Sequence, residues 1–297
     1  MSETTVVTWN KKKFSIFIVG AFGIGWILQI IGSILARQGN QIGFTLFLML
    51  AMYAPFLATL LAKIPLKGMG WKPKVKGKLR FWLAVWLLPG IFTILGAVLY
   101  YIIFPSRLDF TGQYLVSMAG EAAMQQLEAQ GITFATYLVI GTIQIFTYAP
   151  FVNMFAALGE EVGWRGAMQP MLNQRFGKVK GRVLGGVIWG AWHWPVMVIA
   201  GYEYGLEYWG APFLGMALFC LITTVMCILL DVAYEKTNCI WIPSLGHGAI
   251  NAAASMGVMV LDMDYIDQMI LGPTPVGIIA VLPAMIFAGW VLYRSRK

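Results

Sequence analysis

Residues 211–234 read APFLGMALFCLITTVMCILLDVAY, 24 residues in which Asp231 is the one charge. An apolar run of that length matches the hydrocarbon core of a bilayer and exceeds what a soluble helix needs. Working outward, runs of the same texture recur at roughly 14–35, 42–62, 81–104, 134–157, 183–200, 243–261 and 274–293. The whole chain is 59% hydrophobic and 11% charged, with a mean hydropathy of +0.72. The expected fold is therefore all-α: a polytopic membrane protein of about eight transmembrane helices. With no internal repeat or low-complexity tract, residues 1–297 read as a single membrane domain.

The net charge of +8 could point to nucleic acid, but its distribution excludes that. Basic residues group at Lys11–Lys13, between Lys63 and Arg80, between Arg175 and Arg182, at Lys236, and from Arg294 to Lys297. With eight spans, all of these fall on one face. The opposite face receives Arg37 and Arg107 of the 21 basic residues, together with Asp109, Glu121, Glu128, Glu203, Glu207, Asp262, Asp264 and Asp267. Such a bias predicts both termini in the cytoplasm, in a bacterial cell membrane. The first run follows a basic N-terminus but is longer than a signal-peptide core, so it reads as a retained anchor. Residues 113–130, between the third and fourth runs, predict a short helix at the outer interface.

Cys220, Cys227 and Cys239 show no C-x-x-C spacing and are odd in number, so they predict buried packing in place of disulfides or a zinc knuckle. Ionisable groups inside apolar runs are costly and point to function. The chain has two histidines, His193 and His247, and both lie in such runs. A third polar cluster, Glu160-Glu161-Val162-Gly163-Trp164-Arg165, sits where the fourth run nears the basic face. On a helix Glu161 and Arg165 are one turn apart and can pair, which leaves Glu160 to take a proton. Adjacent carboxylates also repel, favouring a proton on one of them.

Trp189 and His193 are likewise one turn apart, and Pro195 predicts a bend with a freed carbonyl near Ala191. Pro150 suggests the same in the fourth run. Gly186 and Gly190 form a small-x-x-x-small face for a neighbouring helix. Pro243 suits the first turn of the seventh helix, which would put His247 and Asn251 near its positive end, suited to developing negative charge. The topology places Glu160, His193 and His247 in the cytoplasmic half, as one buried polar site.

Glu-Glu-x-x-x-Arg at 160–165, aromatic-x-x-x-His at 189–193 and His-x-x-x-Asn at 247–251 together resemble the three motifs of the CaaX protease and bacteriocin-processing family, which includes the ras-converting prenyl endopeptidases. The resemblance covers about 134–261. Trp189 stands where phenylalanine is more usual, a difference expected to alter pocket shape more than chemistry. The resemblance implies an intramembrane peptidase that hydrolyses a membrane-associated peptide or a prenylated or lipid-anchored protein. By it, Glu160 is the general base for water with His193 helping to hold that water, and His247 and Asn251 stabilise the oxyanion. Glu161, Arg165 and Trp189 are supporting residues.

Members of this family have also been described as metalloproteases. Glu160, His193 and His247 would then be the zinc ligands, although H-E-x-x-H is absent and the metal-free form is preferred. No G-x-S-G or G-x-G-D motif suggests a serine or aspartyl intramembrane protease. Asp231 reads as an interfacial charge. The rival readings are an ion-coupled transporter, which would spread its charges across the bilayer, and a scaffold or immunity protein that binds a peptide without cutting it.

Overall fold

The computed structural model describes residues 7–295, and among these it is all-helical apart from one isolated bridge, Leu108 to Leu261. Arg296 and Lys297 of the final basic group lie outside the described residues. The long elements are α1 (Lys11–Arg37), α2 (Gln41–Ala51) followed by α3 (Ala54–Leu61), and α4 (Leu79–Ile103). Two short helices, α5 (Gln113–Ala119) and α6 (Glu121–Ala129), precede α7 (Phe134–Phe146) and α8 (Ala149–Glu161). A π-helical stretch, Val162–Met168, carries α8 into α9 (Gln169–Phe176). Then come α10 (Lys178–Trp192), α11 (Trp194–Ala200), α12 (Phe213–Thr237), α13 (Trp241–Ala253) and α14 (Leu282–Arg294).

Local chemistry sets many of these boundaries. The Asn10 side chain accepts from the Lys13 N–H at 3.0 Å to start α1, and Asn40 accepts from the Gly43 N–H at 2.8 Å to start α2. Pro55, Pro150 and Pro195 sit in the first turns of α3, α8 and α11, where their missing N–H groups cost nothing. Gly177, at φ +79°, separates α9 from α10.

Among the described residues, five segments are long and apolar enough to cross a membrane: 11–37, 41–61, 79–103, 178–200 and 213–237. A sixth is reached if α6 and α7, bent by 91°, are taken together. The expected count of eight is not reached. The run 134–157 is broken at residues 147–148, before Pro150. The runs 243–261 and 274–293 hold helices of only 13 residues each, α13 and α14, joined through irregular chain. Hydropathy reports where chain is buried in apolar surroundings, and a helix wrapped by other helices satisfies it without spanning. The 113–130 segment is two helices divided at Gly120, and no residue of α6 is buried.

Small residues let the inner helices touch. α10 packs on α12, where a Cβ added at Gly190 would lie 2.7 Å from the Cys220 Cα, so the small-residue face is used as expected. α13 packs on α8, where a Cβ at Gly248 would meet the Pro150 carbonyl oxygen at 2.6 Å. α1 closes over this core, with a Cβ at Gly25 colliding with the Trp192 indole at its Nε1 edge. All three cysteines are free and buried. Asp231 departs from the interfacial reading. It is buried and accepts from Arg182 Nε at 2.6 Å and from Asn173 Nδ2 at 3.1 Å, because α9 and α10 fold over the end of α12.

Candidate active site

The last turn of α8 carries Glu160 and Glu161, both buried, and their carboxylates part company. Glu160 Oε2 accepts two indole N–H bonds, from Trp164 at 2.9 Å and from Trp189 at 2.8 Å. Glu161 Oε1 accepts from Arg165 Nη1 at 2.9 Å and lies 2.9 Å from His247 Nδ1. Two adjacent acids thus have separate partners, because successive helical side chains point about 100° apart. Since both indoles use the same oxygen of Glu160, its other oxygen, Oε1, makes no hydrogen bond within the described residues. The π-helical stretch that follows is buried throughout and holds both Trp164 and Arg165; such wide turns recur at functional sites.

Trp189 is the centre of the arrangement. Its indole N–H binds Glu160, the Arg165 guanidinium lies 4.3 Å from its ring centroid, and its ring meets the His247 ring edge-on at 5.1 Å. The difference from the family's usual phenylalanine therefore touches chemistry as well as shape, since a phenyl ring has no N–H to give Glu160.

His193 falls at the joint between α10 and α11. Its Nδ1 is 3.0 Å from the Trp189 carbonyl oxygen. A carbonyl oxygen only accepts, so Nδ1 carries the proton and the neutral ring presents the lone pair of Nε2. Aromatic rings surround it: Trp192 at 4.8 Å, Phe219 at 4.9 Å and Tyr202, stacked, at 6.3 Å. The joint leaves a carbonyl near Ala191 to outside partners, that of the adjacent Trp192. Trp26 Nε1 and Gln29 Nε2 of α1 donate to it at 3.1 and 3.0 Å.

On α13 the expected placement is corrected. The helix begins at Trp241 and ends at Ala253, so His247 is mid-helix and Asn251 lies in the last turn, away from the positive end. The dipole does not favour negative charge there. What remains is direct donation. By the same acceptor argument His247 Nδ1 carries a proton toward Glu161, so Nε2 donates only when the ring is an imidazolium. Asn251 is exposed to the cavity, and its amide makes no hydrogen bond within the described residues.

Glu160, Trp189, His193, His247 and Asn251 line one cavity of about 270 Å³, while Glu161 and Arg165 stand behind it. The structure thus brings together three motifs from α8, α10 and α13. The cavity also takes in residues that sequence reading passed over: Gln29 of α1, Thr223 of α12, and Tyr202 and Glu203 of the loop after α11. The position of Glu203 between spans predicts the outer face, and only its proximity in space reveals the contact.

The fit of a metal ion can be tested on the donors. Among the described residues no three His, Cys, Asp or Glu side chains converge as a ligand set. The indoles take one oxygen of Glu160 and Glu161 engages His247 Nδ1, while Glu160 Oε1 and the Nε2 atoms of both histidines stay open among the described residues. As placed, these side chains are not assembled as a zinc ligand set, and no step is routed through a metal.

Comparison with known proteins bears on the same segment. A protein from Methanococcus maripaludis, CAAX prenyl protease 2, is 24% identical over 236 residues, which cover 75% of this chain and 79% of that protein. Residues 142–253, which supply Glu160, Glu161, both histidines and Asn251, match the family described as Type II CAAX prenyl endopeptidase Rce1-like.

Proposed function

We propose that this integral membrane protein is an intramembrane endopeptidase that cleaves a peptide bond of a membrane-associated protein or peptide, prenylated or otherwise lipid-anchored. The observation that carries the reading is the convergence of Glu160, His193, His247 and Asn251 on one cavity. The two indole bonds fix the Glu160 carboxylate with Oε1 toward a water molecule, and the Nε2 lone pair of His193 orients that water. Glu160 takes a proton as the water oxygen attacks the scissile carbonyl. The oxyanion receives N–H donors from His247 Nε2 and Asn251 Nδ2. Glu161, itself held by Arg165, acts through His247 as a positioning residue by fixing the orientation of its ring. Collapse of the intermediate returns the proton from Glu160 to the departing amine. Every proton is thus accounted for without a covalent enzyme intermediate.

With α6 and α7 counted as one span the crossings number six, and the grouping of basic residues then supports both termini on the cytoplasmic side of the membrane. A reporter active only in the cytoplasm, fused after Lys297, checks this. The function itself is tested by cleavage of a peptide library with purified protein in detergent, with metal content measured on the same sample. Cleavage that survives a chelator and is lost in Glu160→Gln is expected. Loss with the chelator and recovery with zinc would overturn the metal-free mechanism. Full biological activity of Glu160→Gln would favour a protein that binds without cutting.

A further inference from the structure

Glu203 lies on the loop between α11 and α12 and lines the same cavity as Glu160 and His193. Its backbone is in the left-handed region, at φ +72°, which residues other than glycine adopt rarely and only when their surroundings impose it. Gly201 (φ +69°) and Gly205 (φ +75°) make the turn on either side, and the Gly205 N–H closes it on the Gly201 carbonyl at 2.8 Å. The loop is clamped from outside. The buried Tyr204 donates its hydroxyl to the Val276 carbonyl at 2.7 Å, and Tyr208 donates to the Pro212 carbonyl at 3.1 Å.

These anchors hold a carboxyl group against the cavity with no ion-pair partner among the described residues, beside a tyrosine that stacks on His193. Burial raises the Glu203 carboxyl above its ordinary pKa, and a hydrogen bond with Tyr202 offsets this in part. The cavity wall as a whole presents two carboxyl groups, two imidazoles and no lysine or arginine. A free substrate carboxylate at the Glu203 end would meet like charge, whereas a cation would supply the missing partner.

We propose that Glu203 is a specificity-determining residue that takes a lysine or arginine side chain of the substrate at the end of the cavity formed by the 201–208 loop. This deepens the protease reading and rests on it.

The test uses short apolar peptides in detergent that differ in one position, occupied by lysine, norleucine or glutamate and scanned along the chain. At one position lysine is expected to raise kcat/KM about tenfold to a hundredfold over norleucine, mainly through KM, as for a hydrogen bond to a charged group. Glu203→Gln brings the lysine peptide down to the norleucine level, and Glu203→Lys moves the preference to glutamate. Glu203→Asn repeats the loss with a side chain that tolerates left-handed backbone, which separates charge from folding. Absence of any lysine preference in the wild type, or its persistence in Glu203→Gln and Glu203→Asn, overturns the proposal. If no peptide is cleaved, the protease reading fails on its own. Binding of the same peptides to wild type and Glu203→Gln then decides the Glu203 assignment, with tighter lysine binding lost in the variant supporting it and equal binding overturning it.

Discussion

Two buried charge clusters stand at opposite ends of α10, and they are built on different principles. Near the start of the helix, Arg182 donates Nε to Asp231 at 2.6 Å, Nη2 to Glu235 at 2.7 Å and Nη1 to Ser295 at 3.3 Å. Lys178 completes the group on Glu235 at 2.6 Å. Every nitrogen of the guanidinium is engaged within the protein. Near the end of the helix, the polar groups around Trp189 are also buried, yet Glu160 commits one oxygen and His193 and His247 each commit one nitrogen. Their remaining atoms face a cavity. A closed network ties α9, α10, α12 and the end of α14 together. A network with one unspent atom on each member is fit for chemistry, because those atoms are oriented and still available.

The contrast can be broken most sharply at Glu160. Glu160→Gln keeps the size and the hydrogen bonds to the indoles but removes the base, so turnover is expected to fall by about 10³-fold or more while thermal stability stays close to wild type. Single-turnover cleavage and a melting curve on one sample check both halves. At the other end, Arg182→Met leaves Asp231 buried without its cation and is expected to cost about 3–5 kcal/mol, read from equilibrium unfolding in detergent. Adding Asp231→Leu to that variant should restore most of the loss. If the single variant is as stable as wild type, the closed network has no structural weight.

Asn251→Ala removes one donor to the oxyanion and is expected to lower kcat by about 10²-fold with KM little changed. An effect confined to KM would instead make Asn251 a substrate contact. The smallest expected effect belongs to Trp189→Phe, which keeps the ring and deletes the N–H to Glu160. A loss of about tenfold in kcat/KM without a fall in melting temperature would separate the hydrogen bond from the packing.

The sequence was most legible where a single property repeats. Long apolar runs marked the helices of α1, α4 and α12, and spacings of four residues correctly paired Glu161 with Arg165 and set His193 one turn beyond Trp189. It was least legible where burial comes from neighbours. The short α13 reads as a span because core and lipid select the same residues, and hydropathy cannot tell a protein surrounding from a bilayer. Asp231 and Glu203 looked like loop and interface charges because their partners, Arg182 on α10 and the cavity wall, lie far away along the chain.

By itself, then, the sequence determined that the protein belongs in a membrane, that it is helical, and which three motifs are set within its apolar runs, since each of these depends on residues within a few turns of one another. Only the tertiary structure decided that both indoles fall on one oxygen of Glu160, that Glu161 reaches His247, and that the 201–208 loop swings a second carboxyl group into the cavity. Those pairings are set by how helices cross and where loops are pinned, and such distances are not written in the spacing of residues along a chain.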